Sequence, residues 1–274
     1  MPPIFLSSQP PGDAIGTILG NRYRVLEQLG QGGMGVVYRV LDTHSGRELA
    51  LKQLRVHARD SHASAVFALF EREFYVLAEL AHPRVIAVYD YGVDTSGPYY
   101  TMELLDGGDL VRLAPLDMKR ACALAIDVCS SLALLHARRL VHRDVSPRNV
   151  RCTLDGRAKL IDFGAMAPMG PCSHVVGTPA FTAPEAATCS TLDGRTDLFS
   201  LGATLYFMLT VHVPFAALSI SELRELWSVE PIPPSHFGSG VSPAMDALCA
   251  ALLRIDPSQR PHTAFEVMQR LQAI

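Results

Sequence analysis

The chain has 274 residues, enough for one or two domains, and 49% of them are hydrophobic against 19% charged, a balance that excludes an intrinsically disordered chain. Its formal net charge of −3 comes from 24 Lys and Arg set against 27 Asp and Glu, which gives no reason to expect nucleic acid or an anionic membrane as a partner. Six cysteines occur without a CxxC pair, the pattern of reduced core thiols in a cytoplasm rather than of a metal site or disulfide framework.

Residues 1–20, rich in Pro, Ser and Gly, read as a flexible leader. They lack the positive region and long apolar run of a secretory signal. No stretch approaches the roughly 18 apolar residues of a membrane span. The longest candidate, Leu198 to Leu209, is interrupted by Ser200, Gly202 and Thr204 and reads as a buried helix. Strands are expected over Tyr23 to Leu29, Val36 to Leu41 and Glu48 to Leu54, with a glycine cluster between the first two. A helix follows from about Ala65 to Leu80, where Phe70, Phe74, Leu77 and Leu80 recur at helical spacing. His82-Pro83 ends it. Ile86 to Tyr91 and Tyr99 to Glu103 complete five strands and one helix.

After Gly107-Gly108 the pattern turns helical. Asp117 to Arg138 places Leu124, Val128, Leu132 and Leu135 on one face, and puts Cys122 and Cys129 on a common face. Val150 to Ile161 carries Asp155-Gly156 between apolar flanks, a hairpin signal. Beyond Glu185 the pattern is helical to the end, interrupted at Pro231 to Pro234.

Leu29-Gly30-Gln31-Gly32-Gly33-Met34-Gly35-Val36-Val37 fits GxGxxGxV. Alone that is a weak signal, shared with dinucleotide-binding turns. Such a turn should open a helix, whereas Val36 to Leu41 reads as strand. A glycine hairpin between strands lets backbone N–H groups approach phosphates with no side chain in the way. Lys52 lies on the third strand, and the following helix offers it Glu71 or Glu73 as a carboxylate partner.

The densest cluster is His142-Arg143-Asp144-Val145-Ser146-Pro147-Arg148-Asn149, followed by Asp162-Phe163-Gly164, Gly177-Thr178 and Ala183-Pro184-Glu185. With the glycine loop and Lys52, these motifs stand in the order and spacing of the protein-kinase signature set. From about Tyr23 to Leu271 the chain resembles the eukaryotic-like serine/threonine protein kinases of bacteria. The resemblance implies an α+β, bilobal protein-kinase-like fold, with a small β-rich N-lobe over about 21–103 and a larger α-rich C-lobe over about 106–272.

It also implies ATP and Mg2+ as cofactors and a protein with a Ser or Thr acceptor as substrate, with autophosphorylation besides. Asp144 would orient the acceptor hydroxyl and take its proton, with Thr178 meeting Asp144 in the acceptor loop. Asn149 and Asp162 would hold magnesium. Lys52 would contact phosphates and be positioned by Glu73, which the family's spacing selects over Glu71. Leu29 to Val37 would cover the nucleotide, Val37 and Ala50 would pack on adenine, and Met102 would guard the inner pocket. The Glu103 carbonyl and Leu105 N–H would bond the adenine edge, and Asp109 would reach the ribose. Asp197 would brace the catalytic loop from a buried helix, although a helix N-cap is its plainer reading. Glu185 would pair with Arg260, and Leu77, Val88, His142 and Phe163 would form a stacked column.

The chain departs from the pattern at two places. Ser146 stands where serine/threonine kinases carry a lysine, and Arg148 occupies the place of a compensating arginine in tyrosine kinases. Arg148 is therefore a candidate cation for the transferred phosphoryl group. Its tyrosine-kinase flavour is opposed by Gly177-Thr178-Pro179-Ala180-Phe181, which resembles the serine/threonine acceptor loop. Arg151 replaces an aliphatic residue beneath adenine, where its methylene stem can lie on apolar surface. Two other readings are a pseudokinase acting as a binding module, supported by Ser146 and Arg151, and a small-molecule phosphotransferase. In the family the arginine before the catalytic aspartate often binds a phosphate on the following segment, so the resemblance leaves two readings of Ala165 to Thr182: a phosphate on Ser173, the acceptor of choice, held by Arg143, or a short loop ordered without modification.

Overall fold

The structure is a computed structural model and describes residues 15–32, 35–55, 63–216, 219–238 and 240–274. Two compact units divide the chain: one holds residues up to Ala81 together with Ala87–Leu104, the other His82–Ile86 with Leu105–Ile274.

The N-terminal unit is an antiparallel sheet built from β1 (Ile18–Leu19), β2 (Tyr23–Gly32), β3 (Gly35–Asp42), β4 (Glu48–Gln53), β5 (Val88–Asp94) and β6 (Gly97–Met102), with helix α1 (Ala63–Glu79) between β4 and β5 in sequence. Strand order is β1-β2-β3-β4-β6-β5. Alternation along β3 sends Val36, Tyr38 and Val40 into one apolar cluster with Tyr23, Val25, Leu51 and Tyr99. The helix covers a second cluster, in which Phe70 and Phe74 pack with Leu54 and Tyr100. Phe70 is almost wholly buried, so Phe70→Ala would cost about 3–5 kcal/mol of packing and cavity energy.

The C-terminal unit begins with α2 (Leu110–Leu113) and α3 (Met118–Ala137), the latter capped by the Asp117 carboxylate, which accepts from the Arg120 N–H. Short strands β7 (Leu140–Val141), β8 (Val150–Cys152), β9 (Ala158–Leu160), β10 (Ala167–Pro168) and β11 (Gly170–Pro171) follow. The remainder is α4 (Pro184–Ala187), β12 (Thr191–Leu192), α5 (Gly194–Thr210), α6 (Ile220–Leu226), α7 (Pro243–Leu252) and α8 (Ala264–Ala273). β8 and β9 form the expected hairpin, with Gly156 at φ 80 in its turn. Helix α3 lies against α5, α8 and β9, burying Leu124, Val128, Leu132 and Leu135 along with Cys122 and Cys129.

Three expectations change. Residues 1–14 lie outside the described residues, but the end of the expected leader is structured: β1 pairs with β2, and the Gly16 N–H donates to the Val25 carbonyl at 2.9 Å. The strand was illegible because two residues carry no period. Helix is not continuous beyond Glu185, since β12 pairs with β11 through Gly170↔Leu192 and Pro171↔Thr191. Among the described residues one helix, Met118–Ala137, is long and apolar enough to cross a membrane by length and composition, and just over half of it is buried. Leu198 to Leu209, the longest apolar candidate expected from the sequence, falls within the largely buried α5.

Candidate active site

In the N-terminal unit, Leu29, Gly30, Gln31 and Gly32 close β2, and Gly35, Val36 and Val37 open β3, joined through the pairs Gly30↔Val37, Gln31↔Val36 and Gly32↔Gly35. Gly33 and Met34 lie outside the described residues. A Cβ added at Gly30 or Gly32 would meet no atom within 4 Å, so this backbone has an open side that a bulky anion can approach. Val37 is paired across the sheet with Lys52, and Ala50 with Met102. Ala50 is buried, and Met102 packs partly buried on the Phe70 and Phe74 cluster.

Lys52 sits on β4 and its ammonium donates to both Glu73 oxygens, at 2.9 and 3.0 Å. Both residues are buried. The Tyr100 hydroxyl donates to Glu73 Oε1 at 3.1 Å, a positioning contact that sequence reasoning missed. Register is what supplies it, because Tyr100 is the cross-strand partner of Lys52. Glu71, the rejected alternative, is exposed. The Glu103 N–H donates to the Ala87 carbonyl, while Glu103 Oε1 accepts from the Ala87 N–H.

The C-terminal unit gathers the remaining groups. Asp144 is half-buried. Its Oδ1 accepts from the Thr178 N–H and from the Thr178 hydroxyl, both at 2.9 Å. Its Oδ2 accepts from Asn149 Nδ2 at 2.7 Å, and that amide also donates to the Asp144 carbonyl at 2.9 Å. The Asn149 donor side is thereby spent inside the loop, which turns its carbonyl oxygen to other work. Gly177, at φ 106, makes the approach of Thr178 possible: a Cβ there would lie 2.7 Å from the Arg143 carbonyl. Asp162 is a non-glycine residue at φ 58, a backbone state that surrounding structure must hold in place.

The loop is fixed from α5. Asp197 is fully buried, and its two carboxylate oxygens accept from the His142 and Arg143 backbone N–H groups, each at 2.9 Å. His136 Nε2 lies 2.9 Å from Asp197 Oδ2. The N-cap of α5 is Asp193, so the bracing reading of Asp197 and not the capping one describes the geometry. The Asp197 carboxyl sits below the usual carboxylate range. Burial, the largest single influence, pushes it up, but the His136 hydrogen bond and the charges of His136 and His142 outweigh this, helped by the Arg143 N–H. Arg260 joins Glu185 through two bonds of 2.7 and 2.9 Å. Its other donors bind the carbonyls of Arg254, Arg195 and Ile255. Of the expected column, His142 and Phe163 meet edge to face at 4.8 Å, while Leu77 and Val88 belong to the N-terminal unit.

Ser146, Arg148, Arg151, Asp109 and Leu105 complete the set of residues expected from the sequence. Ser146 is buried and its hydroxyl has no partner among the described residues. Arg148 is exposed. The Arg151 backbone makes an isolated antiparallel β-bridge with that of Asp109 and stands opposite Lys159 in the β8–β9 ladder, and its Nε is buried without a partner among the described residues. Asp109 uses its carboxylate to cap α2, accepting from the Arg112 N–H at 3.0 Å. Leu105 is buried.

The protein kinase domain family matches residues 23–271, and the chain belongs to that family. It is 37% identical over 276 residues to a probable serine/threonine-protein kinase of Streptomyces coelicolor, covering 93% of this chain and 40% of that protein. Against the serine/threonine-protein kinase PknB of Mycobacterium tuberculosis, identity is 36% over 266 residues, covering 91% of this chain and 42% of the relative. The DNA damage-responsive serine/threonine-protein kinase RqkA of Deinococcus radiodurans is 35% identical over 262 residues, covering 90% and 39%. The chain thus spans about two fifths of the length of these relatives.

Proposed function

We propose that this chain transfers the γ-phosphoryl group of ATP to a serine or threonine hydroxyl of a protein, with magnesium, and that it also phosphorylates itself. The observation that carries the reading is the contact of the Thr178 hydroxyl and N–H with Asp144 Oδ1 at 2.9 Å. It places an alcohol against the carboxylate that would receive a proton, at the distance general-base chemistry requires. Kinase catalysis is chiefly positioning plus charge stabilisation, and the fixed Lys52–Glu73 pair and the Asp197 brace supply the positioning.

The residues present fit both ATP and magnesium. The open glycine edge and the buried Lys52 suit the phosphates, where backbone N–H groups and an ammonium complement negative charge. Magnesium takes oxygen ligands, commonly one or two from protein and the rest from phosphate and water. Asn149, with its carbonyl oxygen released, and Asp162 offer that donor set. When bound, the ion would neutralise phosphate charge.

The pseudokinase alternative rests on Ser146 and Arg151, and no observation favours it. A cytoplasmic setting is part of the same proposal, supported by six free cysteines. Incubation with labelled ATP, magnesium and a generic protein, followed by phosphoamino-acid analysis, tests the reading. Label on serine or threonine that disappears in Asp144→Asn is expected. No transfer, or transfer to tyrosine alone, would refute it.

A further inference from the structure

Four of the six cysteines, Cys122, Cys129, Cys152 and Cys249, are buried, and the two others, Cys172 and Cys189, are partly exposed. Those two lie together, with their sulfurs 3.2 Å apart. The backbone sets this approach. Cys172 follows β11 and Cys189 precedes β12 by two residues, in a ladder that continues with a bond of 3.2 Å from the Cys172 N–H to the Ser190 carbonyl. Cys189 is held at φ 49, a left-handed conformation rare for a residue with a side chain. Its thiol pKa is raised, first by the hydrogen bond shared with Cys172 and then by burial and the charge of Cys172. The Arg143 guanidinium approaches Cys172 Sγ at 3.7 Å and donates to the His174 carbonyl.

We propose that Cys172 and Cys189 form a reversible dithiol–disulfide site that takes a hydroperoxide as its oxidant and pins the segment between them. The Cys172 sulfur attacks the terminal peroxide oxygen: an S–O bond forms, the O–O bond breaks, and the departing oxygen leaves as water or alcohol with the thiol proton. The Cys189 sulfur then attacks Cys172. An S–S bond forms, the S–O bond breaks, and hydroxide leaves as water with the second thiol proton. Two thiols are oxidised and one peroxide is reduced. The Arg143 guanidinium, 3.7 Å from Cys172 Sγ, would favour negative charge on that sulfur as it attacks. The sulfurs are already in contact, so closure needs little backbone movement. The new link spans a separation of 17 residues that includes Ser173, Thr178 and the Ala183-Pro184-Glu185 turn. It would hold the acceptor loop against its own strand pair.

The site stands apart from the phosphotransfer reading, and its test needs no activity. Trypsin releases residues 160–195 as one peptide between Lys159 and Arg195, containing Cys172 and Cys189 and no other cysteine. After treatment with hydrogen peroxide and then N-ethylmaleimide, this peptide should lose two hydrogens and take no maleimide. Cleavage after Glu185 should leave its two halves joined until dithiothreitol is added. Cys172→Ser and Cys189→Ser should each abolish the link. Amide exchange across residues 173–188 should be slower in the oxidised chain. Both thiols remaining open to maleimide, a Cys172–Cys172 bond between chains, or oxidation of Cys172 to sulfinic acid despite Cys189 would overturn the site. Unchanged exchange in the linked chain would overturn the pinning.

Discussion

The carboxylates of Asp144 and Asp197 each accept three hydrogen bonds from described residues, yet they are built for opposite purposes. Two of the three donors to Asp197 are backbone N–H groups, and its carboxylate is shut away from water. Backbone donors cannot swing aside, so Asp197 fixes the two residues that precede Asp144. The donors to Asp144 come from the acceptor loop and from an amide side chain, at a half-exposed position. These can be exchanged for a substrate hydroxyl. The same chemical group serves as brace or as site according to whether its partners are able to leave.

The largest effect should fall on the exchangeable carboxylate. Asp144→Asn retains the size and two of the acceptor contacts but cannot take a proton, so turnover should fall by about 10²–10⁴-fold. Nucleotide affinity, measured by calorimetry, and the melting temperature should stay close to wild type. Lys52→Met should also lose turnover, through misplaced phosphates. An Asp144→Asn protein that melted early and kept its turnover would reverse the assignment of brace and site.

The Glu185–Arg260 pair extends the brace. All five guanidinium donors of Arg260 are engaged, with Glu185 and three carbonyls, and Phe199 lies 4.9 Å beneath. Arg260→Ala leaves Glu185 buried and unpaired, which should cost about 3–5 kcal/mol. For a chain of this size that corresponds to a fall of roughly 6–20 °C in melting temperature. Turnover per folded molecule, measured well below the melting range, should hardly change. Equal loss of rate and stability would show that this pair belongs to the site.

Arg148 is the intermediate case. Its side chain is exposed, on the loop that holds Asp144 and directly before Asn149. If it serves the transferred phosphoryl group, Arg148→Ala should lower turnover by about 10²-fold with little change in KM for ATP, since that contact is made mainly in the transition state. Ser146→Lys in the same background should restore part of the rate. Ser146 is buried, so the new ammonium must reach outward to act. Unchanged turnover in Arg148→Ala would leave Arg148 a solvated surface residue.

What the sequence made legible follows from this division. Asp144, Asn149, Asp162 and Lys52 occupy motifs whose chemistry restricts residue type, Glu73 followed from the family's spacing, and the helical periods of α1 and α3 disclosed part of the core. The Asp197 brace was visible only through resemblance, because its geometry joins residues 54 and 55 positions apart. Tyr100, His136 and the Cys172–Cys189 contact left no local trace, since each depends on register between distant segments. The two-residue strands were equally silent: β1 and β12 are too short for a period, and only their partners make them strands.

The smallest predicted effect concerns acid, and it probes the brace alone. The Asp197 carboxyl titrates below its ordinary range, despite burial, because His136, the two nearby imidazole charges and the Arg143 N–H favour the ionised form. An unfolded chain would bind its proton near the ordinary value of about 3.9. Between that value and the lower native one, the unfolded state carries more protons than the native state, so stability falls as pH falls. Asp197 therefore contributes its full stabilisation above about pH 4 and loses it as pH drops through the native value. Asp197→Asn keeps one acceptor oxygen but has no proton to bind. At neutral pH it should be less stable than wild type, and the gap should narrow as urea unfolding is repeated from about pH 7 down to pH 3. A gap that held constant or widened on acidification would mean that the carboxylate charge adds nothing to the brace, leaving oxygen geometry alone to hold His142 and Arg143.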